Sequence, residues 1–362
     1  MKTSIQFINH ASVVVSDGET SVLSDPWYTG DAFHKGWNLL HETSAQEVLS
    51  MLNTITHIWI SHEHPDHFSI SFFKSYADKI KERSIKILFQ NTKDKRVIKF
   101  LTAQGFDVQE LDFNKQTSLS SNFKVTCIKD GFYDSGLFIE SNDEKILNLN
   151  DCEVTTDNRV NEVFSITGEV DVLLTQFSFA AWKGGKENKR WRDEAAAEKI
   201  NTMRLQIRKF NPKVVIPFAS FVYFSNVENF YLNDAVNKPN DLIKKLGNDS
   251  QNLLIMAPFD KLDENGLSAT EEALDFWERK YADIKPVNQY ELNQMEQLRD
   301  SFDQYCGRIH QNNNMSLVRI LRTLSPIKVF KPCLIHLNDL DVTLKFDYVT
   351  KSLEKTQLKL EE

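Results

Sequence analysis

Three histidines and an aspartate fall within six residues of one another, at His62, His64, Asp66 and His67 in the stretch THIWISHEHPDHFS, directly after an apolar run. Imidazoles at i and i+2 can reach one metal ion from an extended or tightly turned segment. Asp66 and His67 lie a step further on and can address the same ion or a second one. Imidazole suits zinc and iron, and an added carboxylate shifts the choice toward harder or redox-active metals. The chain has nine histidines in 362 residues, so an incidental cluster of this density is improbable. The stretch is therefore read as a metal motif.

Further candidates are scattered along the chain. Asp25 follows the apolar run SVLS, Asp151 follows KILNLN, and Asp130 and Asp134 sit in KDGFYDSG. His10, in NHASVVV, is weighed as a substrate contact or a group supporting the metal site rather than as a ligand. His34 and His41 flank KGWNLL, and His41 is the better candidate for the site. His57 lies inside a strand pattern and is read as structural. Lys183, Lys186, Arg190 and Arg192 form a basic patch in WKGGKENKRWR that could hold a phosphate or carboxylate. A solvated surface explains that patch about equally well. Trp27, Trp37 and Trp182 could stack on a base or sugar, but core packing is their default role.

Strand-like runs must carry these residues. ASVVVSD and TSVLSDPW around GE read as a hairpin. HIWISH, SIKILFQ, FKVTCIKDG, SGLFIES, KILNLND, DVLLTQFS, PKVVIPFAS and LLIMAPF follow, with helical patterns in SAQEVLSMLNT, ISFFKSYADKIKER, KRVIKFLTAQG and RWRDEAAAEKINTMRLQIRKFN. Strands alternating with helices, plus hairpins, indicate a layered α/β domain with a mixed sheet. Several strands end in ligand-capable residues, which suits a site gathered at one edge of the sheets. This pattern runs over residues 1–265. Residues 266–362 read as a C-terminal extension of helices followed by the strand-like DVTLKFDYVT and a charged tail.

Composition bounds the function. The net charge of −8 argues against a general nucleic-acid binder and an anionic membrane surface. Four cysteines, far apart, read as reduced thiols. The N-terminus lacks a signal-peptide pattern, and no apolar run approaches the roughly 18 residues that span a bilayer. The expectation is a cytoplasmic protein, with neither membrane nor nucleic acid as partner.

The metal motif resembles the second motif of the metallo-β-lactamase superfamily. Asp25 in LSDPW matches its first motif, where an aspartate orients the site from behind the ligands. Asp151 in ILNLNDC matches an aspartate that can bridge two metals. The resemblance implies an αβ/βα four-layer sandwich. Superfamily hydrolases usually supply further histidines from mid-domain and from near its end. This chain has none between His67 and His310. The middle position offers Asp130, Tyr133 and Asp134, and the late one, IPFASF, offers Ala219 and Ser220.

The longer segment SDPWYTGDAFHKGWNLLHE is similar to the metallo-β-lactamase-like part of the CMP-N-acetylneuraminate hydroxylases. The match continues through SHEHPDHFS, the DG loop, KILNLNDC, VIPFASF and NDAVNKPNDLIKKL. That family carries a histidine in its DG loop, and this chain does not. It also receives electrons from a Rieske iron–sulfur domain. Here only CGRIH (Cys306, His310) and CLIH (Cys333, His336) come near such a motif. A small zinc site from those four residues is conceivable, but a buried cysteine and scattered histidines is preferred.

The reading is an oxygenase-type metalloenzyme acting on an activated sugar or related anionic small molecule, with a zinc hydrolase as the alternative. One or two iron ions (zinc in the alternative) would be held by His62, His64, Asp66, His67, Asp134 and Asp151. Asp25 would orient a ligand. Asp66, His10 and His41 are the candidates for catalysis, and Lys183, Lys186 and Arg190 for substrate anchoring. Electrons would come from a separate Rieske-type protein or ferredoxin.

Overall fold

The computed structural model describes residues 3–263, 266–267, 270–289, 294–326, 329–337 and 340–357. These residues form two units, 1–289 and 290–362. The first is built on two sheets. One orders its strands Gly266–Leu267, Lys261–Asp263, Ser4–Asn9, Ser12–Ser16, Ser21–Ser24, His57–Ile60, Lys86–Gln90 and Val108–Leu111. The other runs Val214–Phe218, Val172–Gln176, Glu144–Asn150, Asp134–Ser141, Phe123–Asp130 and Gln116–Ser118. Each sheet joins an antiparallel meander to a parallel set. Ser21–Ser24, His57–Ile60, Lys86–Gln90 and Val108–Leu111 are mutually parallel in the first, as are Glu144–Asn150, Val172–Gln176 and Val214–Phe218 in the second.

A single apolar cluster joins the two sheets. Phe7, Trp59, Phe177, Phe218 and Phe221 contribute to it, all at most 1% exposed. A second cluster packs the helices Ala45–Leu52, Ile70–Ser75, Ala77–Glu82 and Arg96–Ala103 on the first sheet. A third packs Asp157–Thr167 and Lys189–Phe210 on the other. This is the αβ/βα four-layer sandwich. Because both faces of each sheet are covered, the parallel strands are apolar nearly throughout, as in HIWI and VLLT.

Local chemistry explains most boundaries. Ser44 caps the first helix in a reciprocal box with Glu47. Thr156 caps Asp157–Thr167, and Gly168 ends it at φ 64°, a conformation that suits glycine. The sequence reading missed this helix, whose apolar stripe is short. ISFFKSYADKIKER is two helices that break at Tyr76. LLIMAPF is not a strand; it makes one bridge, Val215 to Leu253. Most of its side chains instead fill the inter-sheet core.

The first unit extends beyond residue 265. The helix Thr270–Ala282 sends Ala273, Trp277 and Tyr281 into the inter-sheet core. Trp277 stacks on Phe221 at 4.1 Å and donates its indole N–H to the Met256 carbonyl at 2.9 Å. Residues 264–265, where the sequence placed its boundary, lie outside the described residues. The second unit holds the helices Met295–Asn312 and Met315–Leu324 and a three-stranded antiparallel sheet, Cys333–Leu337, Val342–Asp347 and Ser352–Thr356. Arg322 clamps Asp347 through two hydrogen bonds of 2.8 and 2.7 Å.

Candidate metal centre

The site forms where strands of the two sheets end. Asp25 follows the strand Ser21–Ser24, and the loop 61–69 follows His57–Ile60. That loop folds tightly because Pro65 presets its turn: the His67 amide donates to the His64 carbonyl at 3.0 Å, and Phe68 donates to the same carbonyl at 2.7 Å. Ser69 then caps the next helix through the Phe72 amide. Asp134 opens the strand Asp134–Ser141, Asp151 follows Glu144–Asn150, and His10 occupies the turn between the first two strands. Asp25, Asn150 and Ala219 bend the chain at these ends with φ of 36°, 50° and 46°. Non-glycine residues in that region are uncommon, and such strain gathers at functional sites.

Donor atoms converge in three overlapping groups: His10, Asp66 and His67; His62, His67 and Asp151; and His62, His64 and Asp134. Within each group they lie within 4.8 Å of one another. His67 Nε2 is 3.4 Å from Asp66 Oδ2 and 3.3 Å from Asp151 Oδ2. His10 Nε2 is 3.5 Å from Asp66 Oδ2, and His62 Nε2 is 3.6 Å from Asp134 Oδ1. His62 Nε2 and His64 Nδ1 share a 2.8 Å hydrogen bond. His10, His62, Asp66 and His67 are buried, whereas His64 is exposed.

Asp25 stands behind these groups and is 1% exposed. It accepts from the Ser61 amide and hydroxyl, both at 2.7 Å, from the Asn150 side-chain amide, and from His67 Nδ1 at 3.0 Å. That last bond holds a proton on His67 Nδ1 and turns Nε2 toward the cluster, where a metal could take its lone pair. A second chain supports Asp151. Lys199 donates to Gln176 Oε1, and Gln176 Nε2 donates to Asp151 Oδ1, both at 2.6 Å. Gln90 and Ser135 hold the Ser61 carbonyl at 2.9 and 2.7 Å.

Charge and burial set the titration of the metal-free cluster. Burial pushes His62 down to about 4. Burial also opposes charging His67, but Asp66, Asp151 and Asp25 outweigh it and raise His67 well above the usual imidazole range. Against burial, the facing His67 holds Asp66 well below the usual carboxylate range and Asp151 at about 2. Burial, with the Asp151 charge, raises Asp134 to about 6. Burial lowers Lys199.

These donors fit a metal centre. Asp66 Oδ1, His67 Nε2 and both ring nitrogens of His10 are buried without hydrogen-bond partners. Buried polar atoms are rarely left so, and a cation would satisfy the Asp66 oxygen, His67 Nε2 and one of the two His10 nitrogens. The sequence-predicted His62, His64, Asp66, His67, Asp134 and Asp151 all come together, and Asp25 lies behind them as expected. Asp130 does not join them; it pairs with Arg159 at 3.1 Å and accepts from the Glu153 amide at 2.6 Å.

Several candidates fall elsewhere. His41 is not among the converging donors; its ring packs edge-on against Phe276 at 5.5 Å, and burial and Lys280 lower its pKa. Arg190 pairs with Glu194 at 2.8 Å along its own exposed helix face. Lys186 is exposed, and its carbonyl serves the buried Arg192 at 3.1 Å. Lys183 lies over the Trp191 ring at 5.9 Å. The basic patch thus braces its own loop. His34 is exposed, while its neighbour Phe33 meets the His64 ring at 5.8 Å. His57 is structural as read, with Nδ1 2.8 Å from Thr56 Oγ1. Cys306, His310, Cys333 and His336 make no shared cluster among the described residues. His310 meets the Tyr348 carbonyl and His336 the Thr343 hydroxyl.

Reading the sequence missed Ser61, Gln90, Asn150, Gln176 and Lys199. Gln176 carried a usable signal, a polar residue ending the apolar run VLLT. A cleft of about 550 Å³ was also not foreseen. It opens beside the histidine loop, with Glu63, Gln90, Lys93, Lys129, Phe132 and Tyr133 among its lining residues.

The profile of the beta-lactamase superfamily domain matches residues 4–219, and the chain belongs to that superfamily. The chain is 26% identical over 262 residues to the cytidine monophosphate-N-acetylneuraminic acid hydroxylase of Danio rerio, covering 67% of this chain and 43% of that protein. It therefore spans less than half of that relative's length. Among solved structures, a possible metal-dependent hydrolase from Veillonella parvula matches 72% of this chain and 99% of its own, with a TM-score of 0.52 and 15% identity. The metallo hydrolase Igni18 from Ignicoccus hospitalis matches 72% and 98%, with a TM-score of 0.50 and 15% identity. Both structures share the fold of this chain. Among the described residues, no helix is long and apolar enough to cross a membrane.

Proposed function

We propose that this chain is the catalytic part of an iron-dependent hydroxylase acting on an anionic activated sugar or a related small molecule. The observation that carries the reading is the convergence of four imidazoles and three carboxylates, in a chain whose curated relative is named a hydroxylase. Inserting oxygen into a C–H bond consumes O2, two electrons and two protons and releases water. A redox metal supplies that chemistry when bound, and the electrons would come from an iron–sulfur donor. A redox site needs open positions for oxygen and substrate, which suits a centre whose outer side carries the exposed His64 and the half-buried Asp134.

The protein's own residues would do the holding. His62, His64 and Asp134 would form the open side, Asp66 and His67 the buried side, and Asp151 would stand between them. Asp25 would orient His67. Substrate would enter through the cleft beside the loop, where Lys93 and Lys129 suit an anion and Phe132 and Tyr133 suit a ring. This replaces the Arg190 patch as the anchor. Phe132, 93% exposed, has little other apparent use.

The test is oxygen uptake by iron-loaded protein supplied with a CMP-linked sugar, a reductant and a Rieske-type or ferredoxin donor. Oxygen consumed in step with hydroxylated product supports the reading. The alternative, a zinc hydrolase, is favoured by the two metallo-hydrolase structures that share the fold. Oxygen-independent cleavage of a phosphodiester or amide by the zinc-loaded protein would establish it instead.

A further inference from the structure

We propose that His10 is a metal ligand, completing the buried half of the centre together with Asp66 and His67. This rests on the metal-centre reading above and assigns a residue that the histidine motif does not contain.

The first argument is one of unsatisfied atoms. His10 is 2% exposed, and neither of its ring nitrogens has a hydrogen-bond partner. A neutral imidazole carries one donor and one acceptor, and each buried polar group left unpaired costs about 1–3 kcal/mol. The ring does not lack a firm setting. The His10 amide donates to Asn9 Oδ1 at 2.9 Å, its carbonyl accepts from the Ala219 amide at 2.9 Å, and Trp27 packs perpendicular to it at 5.8 Å. Asn9 is itself anchored, donating to the His41 carbonyl at 2.6 Å and to the Thr43 hydroxyl at 3.2 Å. The strand end beside it, at Ala219, brings no donor side chain. An imidazole held this tightly, with both nitrogens unused, implies a missing partner.

The second argument is geometric. Asp66 Oδ2 lies 3.5 Å from His10 Nε2 and 3.4 Å from His67 Nε2, and the three residues present donor atoms within 4.8 Å of one another. Charge-assisted hydrogen bonds are shorter, about 2.7–2.9 Å. Donors placed tetrahedrally about 2.0–2.1 Å from one ion stand about 3.3–3.4 Å apart along each edge. The observed spacings are those of a coordination shell. A protonated His10 paired with Asp66 accounts for one of these contacts and leaves His67 Nε2 and Asp66 Oδ1 unsatisfied. A cation bound by His10 Nε2, His67 Nε2 and an Asp66 oxygen accounts for both contacts and for His67 Nε2.

Cobalt(II) alone is the probe, and the full chain is the sample. The cobalt-loaded wild type should show four hyperfine-shifted imidazole N–H proton resonances, from His10, His62, His64 and His67. Three would overturn the assignment, and this readout does not depend on any variant folding. In His10→Phe, which keeps a ring against Trp27, and in His10→Ala, the buried ion should bind at least about 100-fold more weakly, a loss beyond that caused by removing groups behind the ligands. The other ion should bind as before. Two ions bound with unchanged affinity and spectrum in a folded variant would sink the inference while leaving the metal centre standing. A wild type that takes up no cobalt, zinc or iron would sink the metal-centre reading itself.

Discussion

The two halves of the centre are prepared for metal to different degrees. On the buried side, His10, Asp66 and His67 are enclosed, Asp66 Oδ2 stands 3.5 and 3.4 Å from the two Nε2 atoms, and Asp66 Oδ1, His67 Nε2 and both His10 nitrogens have no hydrogen-bond partner. On the open side, His62 and His64 are joined by a direct 2.8 Å hydrogen bond, His64 is exposed, and Asp134 stands 3.6 Å from His62. An ion entering the buried side gains donors already in place. One entering the open side must first separate the paired imidazoles and order an exposed side chain, which costs entropy. Preorganisation is thus concentrated where water is excluded, and adaptability where substrate must arrive. Progressive chelation should therefore remove the open-side ion first and the buried one later.

Removing a buried ligand should have the largest effect. Asp66→Ala should lower affinity for the buried ion by more than about 100-fold, beyond the effect of outer-lying partners, whereas His64→Ala should empty the open side alone. Calorimetric titration with cobalt would show one remaining transition in each variant. If His64→Ala emptied both sides, the halves would not be independent and the comparison would fail.

Asp25→Asn comes next. It replaces with a donor one of the two oxygens that together accept from His67 Nδ1, the Ser61 hydroxyl and the Ser61 amide. Competition with a chromophoric chelator should show a loss of about 10–100-fold on the buried side and a smaller one on the open side.

Gln176→Leu and Lys199→Met should act more weakly. Gln176→Leu removes both hydrogen bonds of the chain that steadies Asp151, and Lys199→Met removes the outer one alone. A net hydrogen bond of about 1 kcal/mol corresponds to about a five-fold loss in affinity. Asp151 lies within reach of His62 and His67 alike, so both ions should weaken together. Loss of only one would place Asp151 in a single half.

The smallest effect on metal should come from the second unit. Arg322 holds Asp347 at about 2. Because this lies below the usual aspartate range, the pair stabilises the unit above about pH 4, and that contribution fades as pH falls from about 4 toward 2. Arg322→Met should remove the difference, read as thermal unfolding of residues 290–362 against pH, and leave cobalt stoichiometry unchanged. Any change in metal content would show that general destabilisation, not ligand loss, can empty the centre.

The sequence alone determined the candidate donor side chains and most of the positions that converge. A dense histidine motif is improbable by chance, and aspartates that end apolar strands are visible as such, so His62, His64, Asp66, His67, Asp134, Asp151 and Asp25 could be named before any fold was known. Strand periodicity likewise revealed the layered α/β architecture, because strands buried on both faces read as continuous apolar runs. Only the tertiary structure decided which remote residues share that space. It turned Asp130 toward Arg159 and His41 toward Phe276, and confined Arg190 to its own helix. It also brought His10, Gln176 and Lys199 to the cluster from strands and a helix far apart in the chain. The physical reason is that spacing along a chain constrains neighbours only across a turn or two. Sheet pairing and the closure of two sheets over one core fix long-range proximity, and they do so with apolar residues that carry no mark of the site they position.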